Sequence, residues 1–374
     1  MFALRTCLFI SLSILPQIQA QDSQSANWLG FDKISNLFIF GDSYTATGFN
    51  INGTQPNTAN PLGNPAFPGL TFSNGRNWVD FLSLTYNASV VSTYNFAFPG
   101  AVVDGSITPN RFRPMKQQVH EFFLPNYAQN NTSKATWKSD NTLFASFFGI
   151  NDVTGTYQTG NSTIHSAIIA SYNSLVNELY AAGARNFLFL SVPAVHRSPL
   201  TMNQGSMSAQ FVEMERVAIA DFNMRIMNMV QRLVQQHTDV TAFFYDTFTL
   251  FNQVLDKPDV KPETEGLKNT TGFCFSYSRR TYNESTFNAT CQIPQNEYFW
   301  LDSLHPTPPI HDTMAAEISV MLMNSEAVTG NGGNSSTNPT VFQGASSRVM
   351  LLPMTNWKWA VVYLCVIRLG LALI

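Results

Sequence analysis

The chain has 374 residues, 44% of them hydrophobic and 12% charged, with a formal net charge of −3. That is enough apolar material for one large core or two small ones, and it excludes a disordered polymer. A mildly acidic balance with no basic run leaves no electrostatic footprint for DNA or RNA, so nucleic acid is excluded as a partner.

In chain order the first element is a leader. Residues 1–20, MFALRTCLFISLSILPQIQA, place Arg5 ahead of an apolar run from Cys7 to Leu15 and end on Pro16 and the small Ala20. This is the layout of a secretory signal peptide cut after Ala20. The run falls short of the ~20 apolar residues that a membrane-spanning helix needs.

Apolar runs of strand length follow at 36–40, 90–98, 142–148, 186–192 and 240–245, and helix-patterned stretches lie between them. The clearest are 162–182, with Ile164, Ala167, Ile168, Leu175, Leu179 and Tyr180 on one face, and 206–235. Strands that are continuously hydrophobic and separated by helices imply a parallel sheet covered on both faces. The expected architecture is one α/β domain over 30–325, a three-layer α/β/α sandwich around a mostly parallel five-stranded sheet. Two stretches break the alternation, the Pro/Asn/Gly-rich 50–77 and the segment 258–300, and both are long enough to shape a pocket.

Beyond the domain, 326–346 reads as a flexible polar stalk. Gly344-Ala345-Ser346 is followed, in 347–374, by a spacer and then by WAVVYLCVIRLGLALI, the layout of a GPI-anchor signal, with Arg368 as a departure. A short hydrophobic membrane tail and a soluble secreted product are the alternatives. Removing both ends would take away Arg5, Arg348, Lys358 and Arg368 but no acid, making the product more acidic.

Of four cysteines, Cys7 falls in the leader and Cys365 in the tail, which leaves Cys274 and Cys291. In an oxidising compartment these two should bond, stabilising the loop by about 3 kcal/mol. Sequons at Asn52, Asn87, Asn130, Asn131, Asn161, Asn269, Asn283, Asn288 and Asn334 add the expectation of a glycosylated surface.

The first strand runs into FIFGDSYTATGFN. Taken alone, Asp42 and Ser43 read as turn or cap residues. A hydrolase serine needs a base, an acid to orient that base, and donors for the oxyanion. Later strand ends and loops supply each: Asn95-Phe-Ala-Phe-Pro-Gly100, Gly149-Ile-Asn151-Asp152, and Asp302-Ser-Leu-His305-Pro306.

Four short blocks in this order, spanning residues 37–316, resemble the GDSL, or SGNH, hydrolase superfamily. Within it FGDSYTATGFN, SNGRNWVDFL, YNFAFPGAVVD and WLDSLHPTPPIHD are most similar to the fungal acetylesterases of carbohydrate esterase family 16. Two positions depart from that family: Pro99 stands where a second glycine is usual, and His196 where an acid is usual. The resemblance implies a flavodoxin-like SGNH hydrolase fold with Ser43 as nucleophile, His305 as base and Asp302 orienting it. It also implies an oxyanion hole from the N–H groups of Ser43 and Gly100 and the Asn151 side-chain amide.

His311 is expected to be structural, and His120, His165 and His237 to be exposed or packed. Asp42 and Asp152 are expected to fasten turns. The chain has no GxSxG elbow, HExxH, Walker loop or GxGxxG, and the chemistry requires neither a metal nor a nucleotide cofactor. The resemblance implies an acetylesterase acting on acetylated hemicellulose oligosaccharides or small acetyl esters. Phe67, Phe72, Trp78, Phe275, Tyr277 and Trp300 are candidates to stack on sugar, although most of 30 Phe must be core. A lipase or phospholipase, and a catalytically silent glycan-binding protein on the same scaffold, are the competing readings.

Overall fold

The computed structural model describes residues 27–109, 112–129, 133–279, 287–325 and 341–343. The leader, the C-terminal tail, most of the stalk and the sequons at Asn130, Asn131, Asn283 and Asn334 lie outside the described residues.

Six parallel strands form one sheet in the order β2-β1-β3-β4-β5-β6. They are β1 (Asn36–Gly41), β2 (Ser92–Asn95), β3 (Thr142–Phe147), β4 (Asn186–Leu190), β5 (Thr241–Tyr245) and β6 (Val341–Gln343). The five expected strands are all present. β6 extends the sheet beside β5 from within the stretch read as a stalk, pairing Ala242 with Val341. Every residue of β1, β3, β4 and β5 is buried, as a sheet covered on both faces requires.

The helices are α1 (Trp78–Leu84), α2 (Met115–Gln117), α3 (Leu124–Tyr127), α4 (Ile150–Thr154), α5 (Ser162–Ala181), α6 (Pro199–Met202), α7 (Ser208–Gln236), α8 (Thr247–Asp256) and α9 (Pro308–Asn324). In α7 the buried residues Ile219, Phe222, Ile226, Met229, Val230 and Leu233 recur at helical spacing, giving one core-facing stripe. α5 packs against α7, and α1 against α9. Much of the phenylalanine is consumed here: the Phe38 ring alone meets Tyr94, Phe123, Trp137 and Phe144.

The order of the strands decides where a site can form. From β1 the chain steps outward to β2, then crosses back over β1 to β3 and continues through β4 and β5. The reversal makes a crevice at the carboxyl end of β1, flanked by the ends of β2 and β3.

Candidate active site

Ser43 lies two residues beyond β1, in that crevice, and is 5% exposed. The turn that carries it is closed by the Asp42 carbonyl, which accepts from the N–H groups of Thr45 and Ala46, and by the Asp42 carboxylate, which accepts from Tyr44 N–H. No helix follows directly, so Ser43 caps nothing; its Oγ is 2.8 Å from His305 Nε2. Neighbouring side chains hold the turn from outside. Asn77 caps α1 through its oxygen, while its amide donates to the carbonyls of Thr45 and Ala46. Asn95, the last residue of β2, donates to the Thr45 carbonyl as well.

His305 and Asp302 sit on the loop before α9. Asp302 Oδ2 is 2.8 Å from His305 Nδ1, and Oδ1 accepts from the N–H groups of Leu304 and His305, each at 2.8 Å. Burial raises the Asp302 carboxyl, but the hydrogen bond and charge of His305 and the two backbone donors outweigh it and hold the group below its ordinary value. The Tyr44 hydroxyl donates to the Leu304 carbonyl at 2.7 Å, tying this loop to the turn that carries Ser43. Leu200 N–H donates to the Ser303 carbonyl from the other side. Hydroxyl, imidazole and carboxylate thus form one hydrogen-bonded line, the arrangement by which a proton can leave a serine Oγ.

The oxyanion candidates come from the flanking strand ends. Gly100 has φ +75°, and a Cβ there would lie 2.9 Å from the Phe112 ring, so the turn after Pro99 requires glycine. Gly149 has φ +117° and faces Phe222 and Val192 at 2.5 Å from an added Cβ, which leaves glycine as the residue that can start α4 there. That start sets Asn151 in the crevice. Its Nδ2 is 3.0 Å from the Ala101 carbonyl and 3.2 Å from Asp42 Oδ2. An oxyanion would therefore compete with the longer Asp42 contact for one amide hydrogen.

Asp42 and Asp152 are fully buried beneath this crevice. Burial pushes Asp42 up to about 8, the Tyr44 N–H opposes it and Asp152 adds to it. Burial likewise pushes Asp152 up to about 7, against the Val103 N–H that it accepts. Burial lowers His311 to about 3 and His196 to about 4; the His196 ring lies flat against Phe248 in the interior. His165 pairs with Asp221, His120 with Glu178 and His237 with Asn177, all away from Ser43 in the hydrogen-bond network. Among the described residues no cluster of three or more His, Cys, Asp or Glu side chains could hold a metal ion.

A pocket of about 480 Å³ is bounded by Ala46, Ile51, Leu70, Phe72, Pro99 and Arg113, and Phe72 links its wall to the triad. The Phe72 ring packs on the His305 ring, with centroids 5.2 Å apart. The 50–77 stretch thus does line a pocket. The 258–300 stretch does not line this pocket but is tied to the 50–77 stretch: Cys274 and Cys291 are disulfide-bonded, and Asn74 donates to the Tyr277 carbonyl. Three of the aromatic candidates for sugar stacking do not qualify. Trp78, at the start of α1, and Trp300 and Tyr277 in the 258–300 stretch are buried, whereas Phe67 and Phe275 are exposed. Tyr44, Gln118 and Arg113 carry no sequence signal. Gln118, on the turn after α2, donates to the Gly41 carbonyl and accepts from Gly41 N–H across 77 positions.

The GDSL-like lipase/acylhydrolase family model matches residues 37–318. An acetylesterase of Thermothelomyces thermophilus is 38% identical over 229 residues, 59% of this chain and 74% of that protein. GDSL esterase/lipase 5 of Arabidopsis thaliana is 24% identical, covering 82% of this chain and 88% of its own. The thermolabile hemolysin of Vibrio parahaemolyticus is 26% identical over 77% of this chain and 63% of its own length. Among solved structures, an acetyl xylan esterase from Geobacillus stearothermophilus aligns with TM-score 0.39 and 15% identity over 79% of this chain and 99% of its own. With four motif blocks meeting in one crevice, the chain belongs to the GDSL-like lipase/acylhydrolase family and is a carboxylic ester hydrolase.

Proposed function

We propose that the protein is a serine acetylesterase that removes O-acetyl groups from saccharides, with hemicellulose-derived oligosaccharides as the main class, through an acyl-enzyme. The observation that carries this reading is the unbroken Ser43–His305–Asp302 hydrogen-bonded line at the sheet's reversal point. Ser43 Oγ attacks the acetyl carbonyl while His305 Nε2 takes its proton. Asp302 keeps the imidazole oriented and stabilises its charged form. The N–H groups of Ser43 and Gly100 and the Asn151 amide receive the oxyanion, each donor contributing about 3 kcal/mol to the transition state. His305 then returns the proton to the departing sugar hydroxyl, and water repeats the sequence on the acetyl-enzyme.

The acetylesterase of T. thermophilus supports the acetyl preference. The apolar stretch of the pocket around Ile51 and Leu70 favours a second reading, a lipase taking longer acyl chains. The leader and sequons support secretion or a cell-surface location, and Asn52 and Asn161 are exposed.

Initial rates on 4-nitrophenyl acetate, butyrate and palmitate, beside acetylated xylo-oligosaccharide, test the proposal with wild-type protein and Ser43→Ala. Acetyl esters should dominate and Ser43→Ala should abolish turnover. Preference for palmitate would replace the proposal with the lipase reading, and absence of Ser43-dependent activity on any ester would leave a silent binding protein.

A further inference from the structure

The pocket beside the triad has aromatic walls and one cation at its edge. The Arg113 guanidinium lies 4.6 Å from the centroid of the Phe98 ring and 4.7 Å from that of Phe122, and the residue is exposed. Two ring faces fix the plane of the guanidinium without using its N–H edges. Elsewhere Arg185, Arg197, Arg216 and Arg225 each pair with a carboxylate. Among the described residues no carboxylate lies within ion-pairing distance of Arg113, and none accepts a hydrogen bond from its guanidinium. Among the described residues it is an oriented cation without a carboxylate partner, in a chain of net charge −3.

Its position relates it to the chemistry. Arg113 shares the pocket with Phe72, which packs on His305, and with Pro99, which precedes Gly100. A volume of about 480 Å³ is far more than an acetyl group fills and falls within the range of about 300–1,000 Å³ that holds whole small ligands. One ligand can therefore present its acetyl ester to Ser43, lay apolar faces on the aromatic wall and reach Arg113 with a further substituent. The substituent that matches a planar fork of donors is a carboxylate, held by two parallel charge-assisted hydrogen bonds.

We propose that Arg113 receives a substrate carboxylate, so that the pocket selects acetylated saccharides bearing a uronic acid over neutral ones. The proposal rests on the deacetylase reading above and adds to it the charge of the substrate. A phosphate group offers the same anionic oxygens, and the experiment separates the two.

The test is competitive inhibition of 4-nitrophenyl acetate hydrolysis by three compounds without acetyl groups: a uronate-bearing xylo-oligosaccharide, its neutral counterpart and a sugar phosphate. Wild type, Arg113→Gln and Arg113→Lys are compared through the ratio of inhibition constants within each protein, so that any general change in activity cancels. The uronate should bind about tenfold more tightly than the neutral sugar, as a charge-assisted contact implies. The ratio should fall towards one in Arg113→Gln, survive in part in Arg113→Lys and shrink with added salt. Equal inhibition by uronate and neutral sugar in wild type, or an unchanged ratio in Arg113→Gln, would overturn the proposal. Tighter binding of the sugar phosphate than of the uronate would overturn its assignment to a carboxylate. Turnover of acetylated saccharide, measured beside it, reads the deacetylase proposal separately.

Discussion

Asp302 and the pair Asp42–Asp152 are carboxyl groups of the same crevice, and their surroundings act on them in opposite directions. Asp302 collects two backbone N–H donors and an imidazole, enough to outweigh its burial, and is held low. Asp42 and Asp152 meet fewer donors with no exposure at all, Asp42 also faces the charge of Asp152 and Asp152 that of Asp104, and both are pushed up. Proximity to the nucleophile thus does not decide which acid is charged; the donors available to each do. The group proposed to stabilise the imidazolium is held low, and the groups beneath the turn are free to be neutral.

Substitution at the ionised member should have the largest consequence. Asp302→Asn preserves shape but replaces an acceptor facing His305 Nδ1 with an amide, so kcat should fall about 10⁴-fold, as for other Ser–His–Asp hydrolases, with a nearly unchanged melting temperature. A loss below tenfold would mean that His305 does not depend on Asp302. At Asp42, an asparagine can offer its single carbonyl to Tyr44 N–H or to the Asn151 amide but not to both. Asp42→Asn should lower kcat about tenfold with little change in KM, because the Asn151 amide, the proposed oxyanion donor, loses its orientation. An effect confined to KM would place the defect in substrate binding instead.

The smallest effect concerns Asp152 and stability. A carboxyl whose folded pKa lies above its unfolded value takes up a proton on folding. Its contribution is complete below the usual 3.8 and is lost as the pH rises towards about 7. Wild-type stability should therefore decline across that window, and Asp152→Asn, which cannot ionise, should flatten the decline in melting temperature. An unchanged slope would show that Asp152 stays charged in the folded protein.

The same contrast marks what could be read in the sequence. The strands were legible because a sheet covered on both faces needs unbroken apolar runs, and β1, β3, β4 and β5 supply them. Ser43, Gly100, Asn151, Asp302 and His305 were legible as blocks in a fixed order. β6 was not, because three residues in a polar stretch carry no period. Tyr44 and Arg113 were not legible because their roles depend on partners that folding alone brings together. Tyr44 reaches a carbonyl 260 positions away, and Arg113 acquires its orientation from rings on two separate segments. The choice between stacking on sugar and packing in the core stays open in the sequence for Trp78 and Trp300 for the same reason, and folding buries both rings.

The most direct measurement is covalent labelling of the purified protein with a serine-directed phosphonate, followed by peptide mapping. A single adduct on Ser43, formed at a rate that collapses in His305→Ala and accompanied by complete loss of esterase activity, is the expected result. Esterase activity that persists in protein fully labelled at Ser43, or an inactivating adduct on another serine, would contradict the assignment of Ser43 as the nucleophile.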